Sequence, residues 1–158
     1  MKTTLEKEIN KIKDLINGNI KEMFITSSSM EDTKKLGKIF ASLSTKNTCI
    51  ALNGELGSGK TVFMSGFAEY FGIEDEISSP TFTIVNEYSN NIFHFDVYRI
   101  KDESEFINSI GDEYFDRGIC VIEWADIIKN ILPRRTIFID ITKDEILENI
   151  RNIHIWRK

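Results

Sequence analysis

The chain has 158 residues, enough for one domain with a sizeable core, and its 41% hydrophobic and 28% charged content is ordinary for a globular protein. A net charge of −5, from 20 Lys+Arg against 25 Asp+Glu, argues against coating nucleic acid by bulk electrostatics, which needs many phosphate-neutralising cations. No apolar run approaches the roughly 18 residues of a membrane span, and the lysine-studded N-terminus lacks the apolar core of an export signal, so a cytoplasmic protein with no membrane partner is expected.

Residues 1–22 read as an N-terminal helical extension. Leu5, Ile9, Ile12 and Ile16 recur at helical spacing, and Asn17-Gly18-Asn19 ends the pattern. Such a helix lies on the domain surface or docks a partner. A short strand follows at 23–26. Ser29-Met30-Glu31-Asp32 then has a hydroxyl at the cap and an acid three residues on, opening a helix with Leu36, Ile39, Phe40 and Leu43 on its core face. The compact apolar run 48–53 has strand length and feeds directly into a glycine-rich segment.

That segment, Gly54-Glu55-Leu56-Gly57-Ser58-Gly59-Lys60-Thr61, satisfies G-x-x-x-x-G-K-[ST]. Glycines let consecutive backbone N–H groups converge on phosphate oxygens. The helix beginning near Lys60 adds the positive end of its dipole. Lys60 reaches the outer phosphates, and the Thr61 hydroxyl is a Mg²⁺ ligand. A strand before the loop and an amphipathic helix after it (Phe63, Phe67, Tyr70 and Phe71, closed by Gly72) provide the setting a P-loop requires. Gly54, Gly57, Ser58, Gly59, Lys60, Thr61 and Val62 are thus the predicted phosphate-binding residues.

Residues 81–88 and 92–99 are rich in β-branched and aromatic residues, with Ser89-Asn90-Asn91 between them, predicting an antiparallel hairpin. Alternation along 92–99 puts His94, Asp96 and Tyr98 on one face, which is either a satisfied polar sheet face or a place for Asp96 as a second acid beside Mg²⁺ or the attacking water. Ser79-Pro80-Thr81-Phe82 is placed as a γ-phosphate-sensing segment. One or two short helices broken at Gly111 are expected within 102–116. The strand 118–123 ends in Glu123, the pattern of an acid across the magnesium from the P-loop, and Trp124 beside it reads as core, nucleotide cover or partner contact. A short helix at 126–132 stops at Pro133, and strands at 136–141 and 150–156 finish the chain. Cys49 and Cys120 lie in apolar runs without CxxC spacing, so they read as buried free thiols rather than zinc ligands. The fold expected is α/β: a P-loop NTPase with a three-layer mixed sheet flanked by helices and an antiparallel hairpin, residues 23–158 forming one ATPase domain.

Taken in order, the loop Gly54–Thr61, Ser79-Pro80-Thr81-Phe82-Thr83, Asn86-Glu87-Tyr88, His94-Phe95-Asp96-Val97-Tyr98-Arg99 and Glu123-Trp124 resemble the TsaE (YjeE) family. The resemblance runs from about residue 24 to the C-terminus. It implies a Mg²⁺-dependent ATPase that docks on TsaD and TsaB and meets tRNA only through that complex, supporting threonylcarbamoyl transfer to adenosine 37. It implies Lys60 and Thr61 as phosphate and Mg²⁺ contacts, Glu123 as a metal acid and Asp96 as an acid needed for turnover. Met30 and Arg151 would belong to the adenine pocket. Ala125 stands where the family often has proline, and Val62 where a hydroxyl residue is commoner. Two other readings share the loop: a non-catalytic, nucleotide-gated assembly factor and a small-molecule kinase. Against the kinase, Arg134-Arg135 is the only paired-arginine site, and it sits at a strand entrance rather than in an arginine-rich lid. No guanine-reading Asn-Lys-x-Asp occurs, and no histidine or glutamine is plainly placed to orient water, so slow intrinsic turnover is expected.

Overall fold

The computed structural model describes residues 7–73, 84–89 and 91–158. Seven strands form one mixed sheet: β1 (Glu22–Ser27), β2 (Cys49–Asn53), β3 (Val85–Tyr88), β4 (Ile92–Asp96), β5 (Ile119–Glu123), β6 (Ile137–Lys143) and β7 (Arg151–Arg157). Their spatial order is β1-β7-β6-β2-β5-β4-β3. The four central strands β6, β2, β5 and β4 are mutually parallel, and antiparallel neighbours flank them on both sides.

Central strands are apolar on both faces because helices cover both. In β2, Ile50 and Leu52 face one layer, where they meet α1 (Ile9–Ile16), α2 (Met30–Leu43) and α3 (Lys60–Tyr70). Cys49 and Ala51 face the opposite layer with Phe93, Phe95, Cys120, Ile122 and Phe138. Phe106 of α4 (Glu103–Ser109), Phe115 and Ile128 close that second core, the last two from 3-10 turns at Glu113–Asp116 and Ala125–Ile131. The three-layer mixed sheet is therefore as predicted. Cys49 and Cys120 are register partners on β2 and β5 and both are free. Burial pushes the Cys49 thiol up to about 11 and the Cys120 thiol up as well, so both behave as small hydrophobes.

Local chemistry sets the helix ends. Ser29 Oγ accepts from the Asp32 N–H at 3.1 Å, and Asp32 returns a bond to the Ser28 N–H at 3.0 Å, one residue earlier than a strict capping box. At the end of α3, Gly72 stands at φ +70; its N–H reaches the Glu69 carbonyl and the Ile73 N–H the Ala68 carbonyl, a Schellman arrangement. In α1 the buried residues are Ile12 and Leu15, both 0% exposed, with Ile16 only half-buried, so the stripe runs one position differently from the predicted one; Leu5 lies outside the described residues. Arg157 Nη1 donates to the Leu15 and Ile16 carbonyls and ties the end of α1 to β7.

The hairpin differs from expectation at its far end. Strand β4 stops at Asp96 rather than reaching 99, because Asp96 Oδ1 accepts the Tyr98 N–H at 3.0 Å and bends the chain in an Asx turn. Tyr98 is consequently 62% exposed and does not continue the His94–Asp96 face. Residues 81–83 of the predicted first strand lie outside the described residues, as does Asn90 of the turn.

Candidate functional site

Parallel strands deliver their C-terminal ends to one edge of the sheet, and the loop after β2 sits there. Gly54 opens the loop in close quarters: a Cβ would stand 2.7 Å from the Ile141 carbonyl and closer still to Ser58 Oγ. Gly59 caps α3 at φ +117, a region open to glycine, and leaves the first-turn amides of α3 without a side-chain cap. Ser58 is 1% exposed, and its Oγ has no hydrogen-bond partner. Such a curl of amides at a helix N-terminus favours anions.

Lys60 is 7% exposed and folds back on this curl. Its Nζ donates to the Gly54 carbonyl and, at 3.3 Å, to the Glu55 carbonyl, and lies 4.4 Å from the centroid of the Trp124 ring. Burial lowers its pKa, while the Glu123 and Asp96 carboxylates raise it.

Two acids arrive from the neighbouring strands. In the β4–β5 register Asp96 lies opposite Glu123, so both carboxylates issue from adjacent strand ends on the face that holds α3. Glu123 is 1% exposed, and its Oε2 lies 2.7 Å from Nε2 of the equally buried His94. Asp96 is half-buried; burial raises its pKa against the Tyr98 N–H, and Glu123 raises it further, with His94 and Lys60 opposing. The chain then turns sharply. Trp124 holds a left-handed φ of +60, unusual for so bulky a side chain, and its ring packs on Tyr98 with centroids 4.9 Å apart.

The Asp96 shift has a consequence for stability. Because folding favours the protonated carboxyl, this group's contribution falls as pH rises from the ordinary carboxylate range through its raised value. Asp96→Asn is therefore expected to raise the melting temperature at neutral pH and to flatten its acid-side pH dependence. Thermal melts of both proteins across that range check it; a lower melting temperature at neutral pH for the variant would contradict it.

Two pockets flank the loop. The larger, about 550 Å³, brings together Gly57, Gly59, Lys60, Thr61, Val62, Asp96 and Glu123 with Trp124 and Tyr98. The smaller, about 160 Å³, lies on the other side of the loop against Ser58, Met30 and Arg151, sharing Gly57, Gly59 and Val62. Arg151 Nε donates to the Ser58 carbonyl at 2.9 Å and so anchors the loop from β7. Gly54 lies beneath the loop, in contact with Lys60. Of the predicted site residues, Gly54, Gly57, Ser58, Gly59, Lys60 and Thr61 form the loop and Val62 follows it, while Asp96 and Glu123 stand on one side of it and Met30 and Arg151 on the other. The predicted sensor residue Thr81 lies outside the described residues.

The sequence did not announce three features: the His94 bond to Glu123, the Arg151 anchor, and the hydrogen bonds of Asn53 to Asp140 and Ala125. Each joins residues distant in the chain; only the alternation that aligned His94 with Asp96 gave a partial signal. Among the described residues, no cluster of three or more His, Cys, Asp or Glu could cage a cation. The oxygen donors that share the large pocket, Thr61, Asp96 and Glu123, suit Mg²⁺, which keeps several waters and takes only one or two carboxylates. No helix among the described residues is long and apolar enough to cross a membrane.

Comparison with known proteins agrees with this architecture. Residues 27–153 match the model of the family described as threonylcarbamoyl adenosine biosynthesis protein TsaE. A Bacillus subtilis protein named tRNA threonylcarbamoyladenosine biosynthesis protein TsaE is 43% identical over 117 residues, covering 72% of this chain and 73% of the relative. Proteins of the same name from Haemophilus influenzae and Treponema pallidum are 38% and 35% identical, covering 77% and 75% of this chain and 78% and 90% of their own. The crystal structure of Bacillus subtilis YdiB superposes with a TM-score of 0.70 at 32% identity, covering 87% of this chain and 86% of that one.

Proposed function

The chain belongs to the TsaE family, whose role lies in tRNA threonylcarbamoyladenosine biosynthesis, and from that premise we propose that it is a Mg²⁺-dependent ATPase supporting this modification at position 37. Its partners in this reading are TsaD and TsaB, which contact the tRNA, and its compartment is the cytoplasm. The observation that carries the proposal is the meeting of Lys60, Thr61, Asp96 and Glu123 in one pocket against the glycine loop.

In this reading the loop amides and the N-terminus of α3 bind the phosphates, and Lys60 leaves its own loop carbonyls to neutralise the β- and γ-oxygens. The Glu123 and Asp96 carboxylates favour the charged ammonium there, and the Trp124 ring lies beneath it. Thr61 and Glu123 would hold Mg²⁺, which when bound offsets charge on the phosphate oxygens. The fold keeps a larger share of Asp96 protonated than an exposed aspartate would have, and the carboxylate form is the one able to accept a proton from attacking water. Met30 and Arg151 bracket the smaller pocket, where an adenine would lie. Lys60 engaged with its own loop, and Glu123 engaged with His94, support slow intrinsic turnover that rises when partners dock.

The test is ATP hydrolysis with and without TsaD and TsaB, using Lys60→Ala and Glu123→Ala as controls. Hydrolysis indifferent to both substitutions would sink the site. Asp96→Asn is expected to lower turnover about 10²-fold while leaving ATP affinity within a few-fold. Equal turnover by Asp96→Asn and wild type would remove Asp96 from the chemistry. An Asp96 variant that hydrolyses no ATP yet binds ATP and partners normally, and still supports the modification, would instead favour a binding-only assembly factor.

A further inference from the structure

The geometry points to Asn53 and Asp140 as a positioning pair that fixes the Glu123–Trp124 corner of the pocket. Neither residue lines either pocket. Asn53 is the last residue of β2, one before the loop, and it faces two strands at once. Its Nδ2 donates to Asp140 Oδ1 at 3.1 Å on β6, and its Oδ1 accepts the Ala125 N–H at 3.2 Å at the exit of β5. The other Asp140 oxygen, Oδ2, accepts Trp156 Nε1–H from β7 at 2.7 Å. Three hydrogen bonds thus tie the end of β2 to the exit of β5 and, through the middle of β6, to β7.

Donor and acceptor chemistry leaves one way to satisfy this chain. A carboxylate only accepts, so Asn53 must turn its NH₂ to Asp140 and its carbonyl oxygen to Ala125. Ala125 is 0% exposed, so its N–H would be costly to leave unpaired. That N–H directly follows Trp124 at φ +60, a conformation that persists only where the surroundings hold it. The turn decides where the Trp124 ring stands beneath the Lys60 ammonium, and where β5 releases Glu123. Asn53 thereby couples the start of the phosphate loop to the acid end of β5. The pair touches no reacting atom; it acts through Glu123, Trp124 and Lys60. The inference rests on the reading of the pocket as an ATP site.

A reciprocal swap isolates it. N53D sets two carboxylates against each other. D140N leaves an NH₂ facing either the Trp156 N–H or the Asn53 NH₂, and turning Asn53 over transfers the mismatch to Ala125. In N53D/D140N every bond returns: Asn at 140 donates to Asp at 53 and accepts from Trp156, while Asp at 53 still accepts from Ala125. Four proteins are compared for ATP turnover at saturating ATP, for affinity toward a fluorescent ATP analogue, and for melting temperature.

Each single substitution is expected to lower turnover and affinity about tenfold or more, since small misplacements at a site can cost up to about 10²-fold. The swap is expected to recover to within about threefold of wild type. Equal turnover and affinity in all four proteins, with only melting temperature changed, would overturn the positioning role. So would a swap as impaired as the single variants. If wild type hydrolyses no ATP but the affinities fall and recover as expected, the ATPase reading fails and the positioning pair stands.

Discussion

Lys60→Ala is expected to lower ATP turnover about 10²- to 10³-fold, the loss typical of removing one group aimed at developing charge. Nucleotide affinity should fall as well, because the ammonium also attracts the outer phosphates before reaction. The fold should tolerate the change. Lys60 is a desolvated cation held by two loop carbonyls and a tryptophan face, and removing it removes a buried charge along with its partners' bonds. Lys60→Met separates charge from packing, since an unbranched stem keeps contact with Trp124 while losing the ammonium. Phosphate release by both variants, with melting temperatures alongside, checks the expectation. Turnover retained by Lys60→Met would show that the charge is not what matters.

Gly37→Ala is expected to destabilise the protein by about 3 kcal/mol, which for a chain of this size lowers the melting temperature by roughly 6–12 °C. The sign is the informative part. Glycine to alanine inside a helix ordinarily stabilises by about 1 kcal/mol. Here α2 and α3 cross at two glycines. A Cβ on Gly37 would stand inside 3.0 Å of the Phe63 carbonyl oxygen, and one on Gly66 equally close to the Lys34 carbonyl oxygen. Those neighbours are helix backbone and cannot swing aside. Because α3 carries the glycine loop at its N-terminus, pushing the helices apart also moves Lys60 and Thr61. A thermal melt decides it: an unchanged or raised melting temperature for Gly37→Ala would mean that the helices separate freely. The ion pairs of Lys34 and Lys38 with Glu69 across the same crossing, at 2.8 and 3.0 Å, are surface pairs of small worth beside this contact.

What the sequence made legible was what is local or periodic. The glycine loop is contiguous with its strand and helix, so its motif carried its own context. The run 119–122 ending in Glu123 reads as a buried strand with an acid at its tip because every residue is apolar until the last. Alternation in 92–96 marked His94 and Asp96 as sharing a face, yet only the parallel pairing of β4 with β5 sets Asp96 opposite Glu123 and brings His94 Nε2 to the Glu123 carboxylate. The same alternation misled beyond Asp96: the pattern continues through Tyr98, but the aspartate side chain captures the Tyr98 N–H and ends the strand. Asn53 with Asp140, and Arg151 with Ser58, are 87 and 93 residues apart, and single polar residues in strands and loops have no pattern that tells a long-range bond from a solvated group. Sheet order had to be known first.

The features invisible in sequence are the ones that turn a loop motif into a site. The proposed ATP site requires the acids to stand across from the glycine loop. Here that placement follows from β5 lying directly beside β2, with β4 next to it. The pocket then has amides and a lysine on one wall and carboxylates on the other, with Trp124 and Tyr98 as an aromatic border. Burial at this border shifts Asp96 and Lys60 in opposite directions, each toward its neutral form.

The most direct measurement is phosphate release from ATP and Mg²⁺ by the purified protein, alone and with TsaD and TsaB, beside Lys60→Ala under the same conditions. The proposed function predicts slow release by the protein alone, faster release with both partners, and loss of both rates in Lys60→Ala. Equal release by wild type and Lys60→Ala, with or without the partners, would contradict it.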